Sequence, residues 1–433
     1  MNKSPQLARR QALLAQMGRG IAIIPTAPER QRNRDTDFPY RYDSYFHYLS
    51  NFSEPEAALV LIGGAQPKSI LFCRDKNMER EIWDGFRYGP EGAKSAFGFD
   101  EAHSVTKLDE LLPQLMANQP VLYYTPGLDS AWDARAMTWL NAVRAQARVG
   151  VTAPTDIRDV HTLLDEMRLI KDAGEIATMR RAGSISAEAH CRAMRVARPG
   201  ATEYEVEAEI LHEFRREGSQ YPAYGSIVAS GPNACVLHYR SNDRTMQDGE
   251  LLLIDAGCEL DGYAADITRT FPVSGKFSGP QKAVYDVVLA AQTAAIAEIK
   301  PGNTYNQPHD TATRVLAQGM IDLGLCKGPL DALLESGDYR RFYMHRTGHW
   351  LGRDVHDCGE YKIDGEWRPF KAGMVLTVEP GFYIREADDV PKEFWNIGVR
   401  IEDDVLVTDD GCSVLTAGVP KKTADIEALM RDR

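Results

Sequence analysis

Short, unbroken apolar runs mark the first third of the chain. Ile21-Ala22-Ile23-Ile24, Ala58-Leu59-Val60-Leu61-Ile62, Ser69-Ile70-Leu71-Phe72 and Val121-Leu122-Tyr123-Tyr124 show no polar alternation and are bounded by Gly, Pro or charged residues. Each therefore predicts a strand buried on both faces. Helical stretches separate these runs, which predicts an α/β domain with a largely covered sheet. Near the start, Leu13, Leu14 and Met17 recur at helical spacing beside Arg9 and Arg10. With Lys3 and Arg19 and no acid, this stretch partly matches a mitochondrial transit peptide. Its spacing is that of an ordinary amphipathic first helix, and no apolar segment of the secretory kind precedes it.

The pattern changes between Val151 and Gly174. Pro154, the charged run Asp165-Glu166-Met167-Arg168 and then Lys171-Asp172-Ala173-Gly174 suggest a boundary, giving domains 1–172 and 173–433. Long helices follow. Thr202-Glu203-Tyr204-Glu205 has the capping-box pattern, with Val206, Ile210 and Phe214 recurring on one face behind it. From Glu250 onward strands dominate, with helical breaks around 280–299 and 307–323.

Bulk properties narrow the function. A chain of 433 residues exceeds one ordinary core. A net charge of −12 argues against a sequence-independent grip on nucleic acid or anionic membrane. No apolar run approaches the ~18 residues of a membrane-spanning helix. Seven cysteines without a CxxC pair read as small core residues of a reducing, cytoplasmic compartment.

The chemistry is carried by acids placed inside apolar strands, where unpaired charge is costly. Leu251-Leu252-Leu253-Ile254-Asp255-Ala256-Gly257 runs to Asp261-Gly262, a two-residue hairpin signal, and returns through Tyr263-Ala264-Ala265-Asp266-Ile267-Thr268. That turn sets Gly257 opposite Asp266, so alternation points Asp255 and Asp266 to one face as diagonal neighbours, roughly 7–8 Å apart. Two such carboxylates repel unless a proton or cation lies between them, and a metal pair about 3.5–4 Å apart suits the gap. A solvated pair at a sheet edge is the alternative.

Glu379 ends the run Met374-Val375-Leu376-Thr377-Val378, and Glu402 sits in Gly398-Val399-Arg400-Ile401-Glu402-Asp403-Asp404-Val405. Read as one strand, the latter places Arg400, Glu402 and Asp404 on one face. Between 345 and 357 lies a histidine cluster, His345, His349 and His356. HExxH is absent, and Gly348 and Gly352 argue against a regular helix. His238 reads on its own as a satisfied, partly buried histidine. Four carboxylates and one imidazole make a hard, oxygen-rich site that favours Mn²⁺, with Co²⁺ or Zn²⁺ as alternatives. Two such ions are equipment for amide hydrolysis.

The order Asp, Asp eleven residues on, HxxGHxxGxxxHD, Glu-Pro-Gly and Arg-Ile-Glu resembles the pita-bread metallopeptidases, within them the Xaa-Pro aminopeptidase (aminopeptidase P) branch. Arg168-Leu169-Ile170-Lys171 with Glu175-Ile176, and residues 44–56 in the first half, extend the likeness over nearly the whole chain. The resemblance implies a creatinase/aminopeptidase P-like amino domain before a pita-bread α+β catalytic domain. It also implies cleavage between an N-terminal residue and a following proline, by a hydroxide bridging two divalent metal ions. Asp255 and Asp266 would hold one metal, Asp266 and Glu402 would bridge both, and His349 and Glu379 would complete the other. Glu379 would also handle the hydroxide's proton. His238 and His356 would bond substrate or oxyanion, and His345, Tyr383 and Arg400 would line the proline site. Trp83 would reach a neighbouring subunit's active site in a homotetramer (a dimer of dimers) or homodimer. Arg353 departs from the apolar residue usual at its position.

Three related readings compete: a prolidase restricted to Xaa-Pro dipeptides, a metal-free creatinase-like enzyme, and a non-enzymatic pita-bread protein that binds partners through the same cleft. The last two normally lack ligands that this chain retains.

Overall fold

The structure, a computed structural model, describes residues 4–431; Lys3 of the basic N-terminal stretch lies outside them. The chain divides into two compact units, Met1–Met167 and Arg168–Arg433. The division precedes residue 172 because Arg168 and Lys171 belong to the second unit. Both are buried there on the Asp357 carboxylate, at 2.6 and 3.0 Å. Asp172 instead caps the helix Ala173–Val196, in a reciprocal capping box with Glu175.

The first unit is built on strands β1 (Ile21–Pro25), β2 (Ala58–Ile62), β3 (Lys68–Cys73), β4 (Glu101–Ser104), β5 (Val121–Tyr123) and β6 (Asp156–Arg158). They form one mixed sheet in the order β4-β3-β2-β1-β5-β6. β2 runs antiparallel to β1 and β3, while the outer pairs are parallel. Alternate residues serve opposite faces. Ala22, Ile24, Leu59 and Leu71 pack with Leu13 and Met17 of the helix Pro5–Met17. Ile21, Ile23, Val60 and Ile70 pack with Leu108, Leu112 and Trp139. Both faces are covered, hence the unbroken apolar runs. Arg10 of the first helix is fully buried, its guanidinium donating to the carbonyls of Leu49 and Gly98 at 2.9 and 2.7 Å.

In the second unit, β7 (Ile227–Ser230), β8 (Leu251–Asp255), β9 (Cys258–Leu260), β10 (Tyr263–Ala264) and β11 (Thr268–Pro272) form the first strand group. The second comprises β12 (Val375–Val378), β13 (Gly381–Ile384), β14 (Ile397–Arg400), β15 (Asp403–Val407) and β16 (Cys412–Val414). The pairings are β7-β8-β11 and β9-β10 in one group, and β12-β15-β16 and β13-β14 in the other. The helices Ala173–Val196, Glu203–Arg216, Gly279–Ala297 and Gln307–Asp322 bury these strands in one large core, through contacts such as Ile210, Val284 and Val288 with Leu252, Phe271 and Val399. The capping box at Thr202–Glu205 forms, with Thr202 N donating to Glu205 Oε2 at 2.6 Å.

Candidate metal centre

Each strand group contributes a hairpin whose ladder is disturbed where the acids sit. In the first, Asp261 and Gly262 both have positive φ, 50° and 75°, as a tight hairpin turn requires. Leu260 pairs with Tyr263, and the same register returns beyond with Asp255 opposite Thr268. At the intervening pair, Gly257 and Asp266, the bonds leave the ladder. Gly257 O accepts from Ala223 N at 2.9 Å, and Asp266 N donates to the Asp404 carboxylate at 3.1 Å. A Cβ on Gly257 would lie 1.7 Å from Ala265 O, so this approach excludes any side chain.

The second hairpin has the same design. Val378 pairs with Asp403 and Gly381 with Arg400, which leaves Glu379 facing Glu402 in the gap. The expected single strand over 398–405 is therefore broken at Ile401-Glu402. The cause is visible in the backbone. Glu402 N donates to Thr268 O at 3.0 Å, tying the two hairpins together, and Glu379 N donates to Thr347 O at 2.8 Å.

These gaps bring the acids to one place. Asp266, His349 and Glu402 each offer a ligand atom within 4.8 Å of the other two. His349 Nε2 is 3.5 Å from Asp266 Oδ2 and 3.6 Å from Glu379 Oε1. Asp255 joins through Tyr224, whose hydroxyl lies 2.5 and 2.6 Å from Asp255 Oδ1 and Asp266 Oδ1. Arg400 Nη2 donates to Asp255 Oδ2 at 2.5 Å, and Thr268 Oγ1 to Glu402 Oε2 at 2.6 Å. All five acid and imidazole groups line a cleft of about 590 Å³, together with His238, His345 and His356. A separate cavity of about 210 Å³ in the first unit is lined by apolar residues such as Ile23, Leu128 and Trp132 together with Arg30, Asp43, Asp129 and His161.

Burial and crowding shift the titration of these groups. Burial pushes the Asp255 carboxyl up to about 6 against the pull of Arg400. It pushes Glu379 up to about 7 against His349 and Arg400. Glu402 rises well above the usual range through burial and the charges of Asp266, Glu379 and Asp255. For Asp266 burial is outweighed by the hydrogen bond and charge of His349, and its carboxyl is lowered. His349 rises to about 9, burial being outweighed by Asp266 and Glu379. Four carboxylates thus face one imidazolium and one guanidinium in a low-dielectric cleft. The excess negative charge is relieved by protons or by divalent cations. Four oxygen donors and an imidazole fit such a cation well.

The remaining candidates take different positions. His356 is exposed on the cleft, its ring 4.2 Å from that of His349. His238 is exposed on the same cleft. His345 Nε2 lies 2.8 Å from Tyr383 OH, which accepts from Arg400 Nη1 at 3.2 Å. Tyr383 is 1 % exposed and meets the cleft through those two neighbours. Trp83 is 81 % exposed on the helix Met78–Asp84 of the first unit. Arg353 is buried with its guanidinium 4.4 Å over the Tyr263 ring, and it is not among the cleft residues.

Three neighbours escaped the sequence reading. Thr268 and Tyr224 hold carboxylates of the site, and Thr377 Oγ1 accepts from His349 N at 3.1 Å while lying 3.4 Å from Glu379 Oε1. Thr377 had a signal: a polar residue two positions before Glu379 in an apolar strand shares its face. Tyr224, in a loop after Pro222-Ala223, had none.

With this geometry in place, comparison with known proteins defines the class. Residues 177–409 match the model of metallopeptidase family M24, and residues 7–123 match the aminopeptidase P N-terminal domain. The chain belongs to metallopeptidase family M24 and is a peptidase of the two-domain, aminopeptidase P-like type. It is 47% identical to the Xaa-Pro aminopeptidase of Haemophilus influenzae, covering 98% of this chain and 96% of that protein. It is 45% identical to the Xaa-Pro aminopeptidase of Escherichia coli, with the same coverage of both. Among solved structures, Pseudomonas aeruginosa aminopeptidase PepP superposes with a TM-score of 0.98 at 51% identity, covering 100% of this chain and 98% of that one.

Proposed function

We propose that the chain is a metal-dependent Xaa-Pro aminopeptidase, releasing the first residue of peptides whose second residue is proline. The observation that carries this reading is the convergence of Asp266, His349 and Glu402 beside Asp255 and Glu379 in one cleft. Asp255, Asp266, His349, Glu379 and Glu402 would hold the divalent ions, Asp255 and Asp266 on one side of the site, His349 and Glu379 on the other, with Asp266 and Glu402 shared. Manganese is favoured by the oxygen-rich donor set, with cobalt or zinc able to substitute. When bound, the ions supply Lewis acidity and a water acidic enough to be deprotonated near neutrality.

The chain's own groups do the rest. Glu379 takes the proton of the attacking water and later returns it to the leaving nitrogen. His238 and His356, exposed on the cleft, hydrogen-bond the scissile carbonyl and the charge that develops on it. His345 forms the wall that receives the proline ring, with Tyr383 and Arg400 fixing its orientation. The Xaa-Pro bond has no N–H and a fixed φ, so selectivity rests on a shaped pocket. The unit ending at Met167 serves as the amino domain and the unit from Arg168 as the catalytic domain. The exposed Trp83 is read as an intersubunit contact in a homotetramer or homodimer that completes a neighbouring site. Seven cysteines without a CxxC pair support a reducing, cytoplasmic location.

Mn²⁺-dependent hydrolysis of Xaa-Pro, Xaa-Pro-Yaa and longer peptides tests the reading. Cleavage of the tripeptide and longer chains is expected; strong preference for the dipeptide would instead make the protein a prolidase.

A further inference from the structure

Several surface arginines of the second unit are paired with acids, among them Arg181 with Glu217, Arg314 with Asp331 and Arg341 with Asp389. Arg240 and Arg346 are different. Both line the metal-site cleft and both are exposed, yet among the described residues no carboxylate pairs with either.

Both arginines are carried on fixed backbone. Arg240 follows His238 by two residues. Its loop is pinned at Tyr239, whose hydroxyl donates to Glu203 Oε2 at 2.8 Å. It is pinned again at Asn242, which accepts from Val228 N and donates to Ser226 O at 3.0 and 2.9 Å. Arg346 follows His345 directly. Its Nη2 donates to Asn306 Oδ1 at 2.5 Å and its guanidinium lies 4.7 Å over the Trp367 ring. Asn306 in turn donates to Asp310 at 2.7 Å, so an amide separates Arg346 from the nearest acid on that path. Neutral groups thus position the Arg346 guanidinium without neutralising it by direct pairing. Two charged forks beside the histidine-bearing segments match the geometry of a carboxylate.

We infer that Arg240 and Arg346 recognise a carboxylate on the residue that follows proline, either an acidic side chain or the free C-terminus of a tripeptide. The inference rests on the Xaa-Pro aminopeptidase reading, which places the residues after proline toward the mouth of the cleft. Exposed guanidinium–carboxylate pairs are individually modest, so the two together should favour an acidic substrate by about 5-fold in kcat/KM at low salt. Screening should erase most of that preference at high salt.

The test uses the full chain with added Mn²⁺ and three substrates: Ala-Pro-Asn-amide, Ala-Pro-Asp-amide and Ala-Pro-Asn with a free C-terminus. Wild type is compared with the Arg240→Gln/Arg346→Gln double variant, whose folding is checked by thermal melting. Preference for the Asp amide, the free acid or both over the neutral amide is expected. The preferred substrate identifies the source of the carboxylate, and the preference should fall toward one in the double variant. In wild type alone it should also fall between 20 and 500 mM salt, a measurement independent of the variant's folding. Equal rates on all three substrates, or a preference that survives the double substitution, would overturn the inference while leaving Xaa-Pro cleavage intact. Failure to cleave any of the three would overturn both.

Discussion

Replacing Tyr224 with Phe should tighten metal binding by removing a competitor. The Tyr224 hydroxyl sits 2.5 and 2.6 Å from one oxygen of Asp255 and one of Asp266, where a cation held by both carboxylates would draw on the same oxygens. Its proton is secure, because burial and the charges of Asp255 and Asp266 raise the phenol well above its usual range. A hydrogen bond to a charged acceptor is worth about 1.5–3 kcal/mol. If ion entry displaces the hydroxyl, that energy stabilises the metal-free protein alone. Tyr224→Phe should then lower the melting temperature of the metal-free protein by roughly 4–8 °C, for about 2 kcal/mol lost in a unit of this size. The metal-loaded protein should melt near the wild-type temperature. By linkage the missing energy reappears as about 10- to 100-fold tighter binding of Mn²⁺. Calorimetric titration of chelator-treated protein measures the affinity, and scanning calorimetry with and without Mn²⁺ measures the two melts. Equal destabilisation of loaded and metal-free protein, with unchanged affinity, would show that hydroxyl and ion do not compete.

Other outcomes follow from the same geometry. Asp266→Ala should abolish Mn²⁺-dependent peptidase activity and lower the number of ions bound, read by metal analysis; full activity would refute a metal mechanism. Arg269, fully buried and 2.7 Å from Asp403, also donates to Glu402 O at 2.6 Å. Arg269→Met should therefore cost about 3–5 kcal/mol by urea unfolding, since it leaves Asp403 short of a buried partner. His190 is fully buried, with Nε2 donating to Ala256 O at 2.9 Å, and burial lowers its pKa from 6.5 to about 4. Between those values the unfolded chain takes up a proton that the folded one refuses. The His190 contribution is whole above pH 6.5 and is lost on acidification toward pH 4, a loss of about 3 kcal/mol. His190→Gln should flatten that part of the stability profile; an unchanged slope would assign it to other groups.

The first hairpin was legible because its register is written locally. Asp261-Gly262 fixes the turn, and counting back places Asp255 and Asp266 on one face. Nothing similar announces that Glu379 faces Glu402. Their strands are joined through the irregular stretch around 385–396, with no two-residue turn from which to count. Alternation also suggested one strand through 398–405, whereas the backbone leaves its ladder at Glu402 to reach Thr268. That bond is between distant segments, beyond the range of local periodicity. The apolar runs of the first unit were readable for the opposite reason: a sheet covered on both faces leaves its signature in every residue. Arg10 shows the limit of composition, since a basic residue in a basic stretch is wholly buried on backbone carbonyls.

The register of the two hairpins also determines which changes in chain length the site can absorb. Adding residues to the turn at Asp261-Gly262 or to the stretch at 385–396 lengthens a connection without altering which acids face each other. Deleting one residue inside either ladder would be far more damaging. Glu402, Asp403 and Asp404 are consecutive and buried, but they address three different surroundings: the cleft, the Arg269–Lys421 pair and the Asp266 backbone. A slip of one position would deliver each acid to its neighbour's surroundings, so variation in length belongs in the connections and constancy in the strands.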